Sequence, residues 1–388
     1  MRLAVLTSSY PLYDGDYRGG FVKDLENALR SHGIDSLVLV PRPPSLPSNA
    51  VNNASVFLLP ELIPLKGYGF HGFGIEENLK KNPLSILNIP PFLFAFTFEA
   101  LRFIKDRCDA ILAHWVLPMG LVGAILSSIL RKPLFIVSHS FHPYLRLPVA
   151  RRLTSFVLSR ARKVACVSQS VARSFAELAP SHRSNLDVIP LGIDIKTQRL
   201  RTLQKGENLR LCFVGRLTKL KGAHVLLQAM IGLKGVELTI VGDGPERKRL
   251  EALAQANRLN NIAFLGEMKR NEARKVMQNA HALVIPSVSK PNGRSEGLPT
   301  VLLEAWSCGL PVIASRNGGI VEAVERFGGG ILFKSEDPQA LRNVIVALKD
   351  KNTLEKLSRE ASIGGRNFSW KKLSQQWANW FRENSGLP

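Results

Sequence analysis

The stretch Pro286–Ser315, PSVSKPNGRSEGLPTVLLEAWSCGLPVIAS, carries two carboxylates, Glu296 and Glu304, eight positions apart. On one continuous helix that spacing would set them on nearly one face, about two turns apart. Pro299, however, reads as a helix start, which leaves Glu296 outside the helix and Glu304 about one turn inside it. Carboxylates so placed can hold hydroxyls on two separate parts of one ligand, and the free amides of the helix start suit a phosphate between them. Upstream, LRLCFVGRLTKLKGAHVLLQAM puts Arg216 directly after a strand ending at Gly215, and Lys221 with Gly222 ahead of the next helix. Two cations at the carboxyl end of a strand are what a diphosphate requires, although ordinary surface cations in so basic a chain could show the same spacing. The glycine turn VGDGPE, Val241–Glu246, is a weak sign, because any tight strand-to-helix connection uses glycine.

The amino-terminal half offers glycines and histidines instead. Gly19 and Gly20 stand between a first strand and the helix FVKDLENALRSHG, where a glycine pair admits close approach of a ligand to the backbone or serves as a plain flexible turn. His114 follows the strand DAILA, and His139 follows PLFIVS. A lone histidine at a strand end is more often a packing residue than a reactive one. Asp14-Gly15-Asp16 has the outline of a metal-binding pair, but two carboxylates are too few for a magnesium cage, so a solvated loop is the simpler reading and no metal site is expected.

A repeating pattern must position these residues. RLAVLTSS, DSLVLVPRP, DAILAHW, PLFIVSHS, KVACVSQS and DVIPLGID alternate with helical patterns; after a polar, basic stretch, IKTQRLRTLQKGENLR, the alternation resumes with LRLCFVGR, VELTIVGDG, NIAFLGE, HALVIPS and LPVIAS. Strand, helix, strand repeated means a parallel sheet with crossover helices. The expected fold is therefore α/β, with two Rossmann-like parallel-sheet domains facing across a cleft, residues 1–195 and 196–365, and the polar stretch as the linker.

Composition narrows the partners. The chain has 388 residues, too many for one core, with 52 Lys and Arg against 31 Asp and Glu for a net charge of +21. Some partner is expected to be anionic: nucleic acid, membrane surface or phosphorylated ligand. The four cysteines have neither zinc spacing nor a disulfide framework, which fits a reducing compartment. MRLAVLTSSYPL has too short an apolar run for a signal peptide and reads as a first strand. Pro83–Ile104 is the most apolar stretch, yet Pro90, Pro91, Glu99 and Arg102 interrupt it. It reads as a buried helix starting at the prolines, with a surface that dips into lipid as the alternative. RLPVARRLTSFVLSRARK sets six cations around an amphipathic helix, compatible either with an anionic membrane or with a solvated face. No phosphate-loop, zinc-protease or serine-hydrolase motif occurs in the sequence.

Taken in order, SerTyrPro at 9–11, ArgGlyGlyPheValLysAspLeu at 18–25, AlaHisTrp at 113–115, SerHisSer at 138–140, ValSerGlnSerVal at 167–171, IleProLeuGlyIleAsp at 189–194, GlyArg at 215–216, Lys221-Gly222, GlyAspGlyPro at 242–245 and the Glu296–Glu304 block resemble the group 1, family 4 retaining glycosyltransferases of GT-B fold. The resemblance covers nearly the whole chain. It implies that Arg216 and Lys221 neutralise the diphosphate of a nucleotide-sugar donor in place of a metal, that Glu304 holds the ribose and Glu296 the donor sugar, and that backbone amides after Glu296 approach the phosphates. Many relatives have an aromatic-glycine pair where this chain has Leu298-Pro299, and proline donates no amide, which leaves Leu298 and Thr300 as donors. It further implies that Gly19 and Gly20 bind the donor, that His114 lies near the anomeric carbon, that His139 is at the cleft, and that a final helix, residues 366–388, returns toward the amino-terminal domain. The aromatics of that segment are also what a packing stripe would show.

The implied reaction is retaining transfer of a sugar from a nucleotide diphospho-sugar to an acceptor hydroxyl, with no cofactor and no covalent nucleophile. The basic surface and apolar helix add the expectation of a glycan or lipid-linked glycan acceptor and of a cytoplasmic enzyme in peripheral contact with an anionic membrane. A nucleic-acid binder is the rival of a different class, but the cations are scattered over both halves and no nucleic-acid motif is present, so no nucleic acid is expected. An epimerase or phosphorylase on the same fold is the nearer rival. The acceptor would meet loops such as PRPPSLPSNAVNNAS and the glycine-aromatic run Gly67–Gly74, which say nothing of its identity.

Overall fold

The computed structural model describes residues 1–13, 16, 18–41, 56–59, 87, 89–196, 198–288 and 297–386. Contacts divide the chain into a first unit, Met1–Val167, Ala172–Ile189 and Ser374–Pro388, and a second, Ser168–Val171 and Pro190–Leu373.

The chain begins β1 (Arg2–Leu6), α1 (Gly20–Arg30), β2 (Asp35–Pro41), β3 (Val56–Leu59), α2 (Ile89–Ile104), β4 (Ala110–His114), α3 (Met119–Leu130), β5 (Leu134–Ser138), α4 (Pro148–Arg160), β6 (Ala161–Cys166), α5 (Gln169–Leu178) and β7 (Leu186–Val188). The seven strands form one parallel sheet in the order β3-β2-β1-β4-β5-β6-β7. Every residue of β4 and β5 is buried, as expected of strands covered by helices on both faces. The strand order reverses once, between β1 and β4, where Leu3 pairs with both Ser36 and Ala110. Ligands of open α/β sheets bind beyond the carboxyl ends of the strands at such a reversal.

The rest of the chain runs β8 (Leu209–Val214), α6 (Ala223–Met230), β9 (Val236–Val241), α7 (Arg247–Ala256), β10 (Ile262–Gly266), α8 (Arg270–Asn279), β11 (Ala282–Ile285), α9 (Thr300–Ser307), β12 (Val312–Ser315), α10 (Gly318–Phe327), β13 (Gly330–Phe333), α11 (Pro338–Ala347), α12 (Lys351–Asn367) and α13 (Trp370–Ser385). Its parallel sheet has the order β10-β9-β8-β11-β12-β13, reversing between β8 and β11. Two strands, β3 and β13, were not among the apolar runs that stood out in the sequence; β13 hides behind three consecutive glycines, Gly328–Gly330.

The polar stretch expected to link domains is docked on the second unit. Gln198 donates to the carbonyls of Trp306 and Ser362, Arg201 to those of Gln278 and Cys308, and Thr202 to Glu355. Its lack of apolar period reflects pairing with carbonyls rather than freedom in solvent. Trp306 is the anchor beneath α9: its indole N–H donates to the Gly329 carbonyl at 3.0 Å, and a Cβ on Gly364 or Gly365 would stand 2.7 or 2.5 Å from its atoms. Those glycines let α12 lie close against α9, so α9 is anchored near its carboxyl end by a buried tryptophan.

α2 begins at the prolines as expected, but it is not wholly buried. Phe96, Ala100 and Ile104 are buried, while Phe94 is 76% exposed. The terminal aromatics pack as core: Trp377 and Phe381 are buried, and Trp380 and Phe381 both meet Phe135 of β5. No helix among the described residues is long and apolar enough to cross a membrane.

Candidate functional site

In the second unit Arg216, Lys221, Thr300 and Glu304 lie on the segments that follow β8 and β11, the two strands between which the order reverses. Arg216 leaves the end of β8, and Lys221 ends a short 3-10 turn, Lys219–Lys221, that runs into α6. Gly222 joins turn to helix with φ 70°, and a Cβ there would lie 1.8 Å from the Pro286 carbonyl oxygen. Only glycine permits both the left-handed backbone and that approach. The Val288 amide donates to the Leu220 carbonyl at 2.8 Å, so the chain leaving β11 runs beside the Lys221 turn. On the other flank, Leu217 donates to Asp243 at 2.9 Å and Glu246 to Leu217 at 3.0 Å, which ties the GlyAspGlyPro turn to the Arg216 loop. The weak glycine signal thus marks a turn that borders the site.

From β11 the chain reaches α9 through Gly297, Leu298 and Pro299; Glu296 and the loop before it lie outside the described residues. Pro299 is the N-cap in an extended conformation, and the first helical bond runs from Leu302 to its carbonyl at 3.1 Å, so the amides of Thr300 and Val301 precede the ladder. Glu304, one turn on, accepts a 2.7 Å charge-assisted bond from Arg270 Nε at the start of α8. Sequence reading missed Arg270: it lies 34 positions from Glu304, and only the packing of α8 and α9 on one sheet brings the two together. The guanidinium engages one carboxylate oxygen, which restricts the group's orientation.

In the first unit Gly19, Gly20, His114 and His139 likewise come together. Gly19 has φ 67°, and a Cβ would stand 2.2 Å from the Ser9 carbonyl oxygen, so the glycine pair lets α1 start hard against the end of β1. Phe21 follows and lies with its ring centroid 4.5 Å from that of His139. Trp115, in the left-handed region at φ 70°, turns the chain immediately after β4 and stands 5.1 Å from His139.

His114 is 1% exposed and His139 partly so. His114 Nδ1 and His139 Nε2 are 2.8 Å apart. The ring planes differ by 4° and the centroids are 5.1 Å apart. Rings joined by a straight N–H···N bond of that length have centroids about 5 Å apart, so the histidines meet edge to edge rather than face to face. Burial holds His114 neutral down to about 3 and depresses His139 well below the ordinary histidine range, the neighbouring ring adding to it.

Asp16 differs from its expectation. It is buried, not solvated, and accepts from the Leu12 and Arg18 amides at 3.1 Å each, so it shapes its loop. Asp14 lies outside the described residues, as do residues 42–55 and the run Gly67–Gly74.

The model described as Glycosyl transferases group 1 matches residues 194–363, and that described as Glycosyltransferase Family 4 matches residues 20–197. An uncharacterized glycosyltransferase of Methanocaldococcus jannaschii is 28% identical over 311 residues, 76% of this chain and 84% of that one. The amylovoran biosynthesis glycosyltransferase of Erwinia amylovora is 33% identical over 145 residues, 36% of each chain. Among solved structures, Anabaena HepE in complex with UDP-glucose aligns with a TM-score of 0.73 at 21% identity, covering 99% of this chain and 100% of that one. The two-sheet α/β architecture is the expected GT-B fold. With its two halves matched in turn by the two models, the chain belongs to the group 1, family 4 glycosyltransferases.

Proposed function

We propose that this glycosyltransferase moves a hexosyl group from a nucleotide diphospho-sugar to an acceptor hydroxyl with retention at the anomeric carbon. The observation that carries the reading is the convergence of the Arg216 loop, the Lys221 turn and the α9 start on the β8/β11 reversal, with Glu304 one turn further in. As the bond from sugar to phosphate breaks, negative charge grows on the diphosphate. The two cations and the free amides of α9 stabilise that charge without a divalent ion. Glu304, held by Arg270, takes the ribose hydroxyls, and His114 takes a sugar hydroxyl. Glu296 remains assigned to the donor sugar. The departing phosphate accepts the acceptor's proton on the face it leaves, so no protein nucleophile is assigned. The UDP-glucose of the HepE complex supports this donor class, and the relative named for amylovoran biosynthesis supports a role in polysaccharide assembly; a lipid-linked glycan is proposed as the acceptor.

The test is a thermal-shift screen of nucleotide diphospho-sugars, followed by mass spectrometry and NMR of the products in the presence of a chelator. A transferred sugar of unchanged anomeric configuration is expected. Isomerised sugar nucleotide, a requirement for free phosphate, or an inverted product would overturn the reading.

Peripheral contact with an anionic membrane on its inner face is proposed as well. α2 packs beside α3 and α3 beside α4. This layer exposes Phe94 and Phe98, then Ile125 and Ile129, then Val149 and Phe156. Residues 87–160 carry nine basic against three acidic side chains, +6 by difference, and Arg160 lies over Phe156. Apolar side chains among an excess of cations suit the boundary of anionic lipid. Flotation with phosphatidylglycerol vesicles, but not phosphatidylcholine vesicles, is expected and should be lost in high salt. Equal indifference to both lipids would remove the proposal.

A further inference from the structure

Two neutral imidazoles joined nitrogen to nitrogen share one proton across the bond, so their tautomers are not independent. If Nε2–H of His139 donates to Nδ1 of His114, then His114 carries its own proton on Nε2 and turns an N–H outward, while His139 turns a bare Nδ1 outward. If the bond runs the other way, both faces are exchanged. The outward nitrogens therefore always form one donor and one acceptor. The first arrangement keeps both rings in the Nε2–H tautomer, the one a free neutral histidine side chain prefers; the second demands Nδ1–H on both. The straight 2.8 Å contact in a common plane leaves no room for a water to separate the rings, and Phe21 and Trp115 wall His139 at 4.5 and 5.1 Å.

We propose that His139 is a positioning residue whose Nε2–H, held in line with Nδ1 of His114 by Phe21 and Trp115, fixes His114 as an Nε2–H donor to a hydroxyl of the transferred sugar. The sugar contact rests on the glycosyl-transfer reading; the tautomer does not. An unpartnered His114 would sample both tautomers and spend part of its time presenting a lone pair to the hydroxyl, as well as turning about its side-chain bonds. The pairing removes both freedoms before substrate arrives.

Nitrogen NMR of the ligand-free protein labelled in histidine reads the tautomer directly. His114 is expected to show a protonated Nε2 and an unprotonated Nδ1 that accepts a hydrogen bond. In His139→Phe that pattern should become a mixture of tautomers, and kcat should fall about tenfold to a hundredfold with the donor KM little changed. In His139→Gln the amide N–H reaches the place of Nε2–H, so the pattern should persist and most of the lost turnover should return. A protonated Nδ1 on His114 in the unaltered protein would overturn the proposal. So would a His139→Gln variant as impaired as His139→Phe, or a His139→Phe variant with undiminished kcat and an unchanged His114 pattern. Should His139→Phe fail to fold, the spectra of the unaltered protein and of His139→Gln decide. Absence of turnover with every nucleotide sugar would instead strike the glycosyl-transfer reading and leave the tautomer result standing.

Discussion

In the second unit the residues at the strand-order reversal are charged and keep some access to water: Arg216 and Lys221 are half-buried, and the Arg270–Glu304 pair has side-chain exposures of 31% and 17%. In the first unit the corresponding place holds two neutral rings walled by Phe21 and Trp115. The strand order is the same but for a seventh strand at the edge of the first sheet, and the electrostatics differ: charged groups in one, neutral rings in the other. A charged group at the second site can act through field strength, whereas at the first site desolvation strips charge and leaves hydrogen-bond direction as the property that matters. The difference also explains why the chain's high positive charge says little about His114 and His139: local packing overrides it.

Removing a cation should break the comparison most sharply. Arg216→Ala and Lys221→Ala are each expected to lower kcat about 100- to 1,000-fold, as loss of a preorganised transition-state contact does; initial rates at saturating donor check this, and near-normal rates would mean that charge is not what the second unit supplies. Acid should act on the first unit. His114 is neutral in the folded state down to about 3, but the unfolded chain binds that proton near 6.5. Between those values the unfolded state holds more protons, so stability falls as pH drops below about 6.5, by about 2 kcal/mol at pH 5 from this ring. His139 adds in the same direction, as do His224 and His281 of the second unit. Urea midpoints measured from pH 7 to 5 should decline, and a His114→Gln, His139→Gln double variant should flatten the slope without abolishing it.

A smaller effect separates anchoring from chemistry. Arg270→Gln releases Glu304 while leaving the carboxylate in place, so the donor KM should rise about tenfold, or about 1.4 kcal/mol, with kcat nearly constant. A fall in kcat alone would place Arg270 with the transition-state cations instead. The smallest change is expected at exposed positions: Phe94→Ser should alter unfolding free energy by about 0.5 kcal/mol or less while weakening flotation with anionic vesicles.

Much of the architecture was legible because strands of parallel sheets are short apolar runs bounded by turn formers, and both sheets are built of them. PLFIVS and HALVIPS were readable for that reason; β13 was not, because glycines dilute the apolar signal. The polar character of IKTQRLRTLQKGENLR suggested a linker between domains, whereas Gln198 and Arg201 donate to backbone carbonyls of helices in the second unit. Likewise, hydropathy marked α2 as apolar but carried no information about which face would remain uncovered, since that depends on what packs against it.

The amino-acid sequence by itself determined the repeating strand-helix order, the glycines that turn it, and the placement of Arg216 and Lys221 after one strand and of His114 at the end of another, because these follow from local period and backbone preference. Tertiary structure alone decided that Arg270 reaches Glu304, that His114 meets His139 in one plane, and that both rings lose their charge. Those outcomes depend on distances between segments far apart in the chain and on the water that folding removes from around them, and neither quantity is written in any short run of residues.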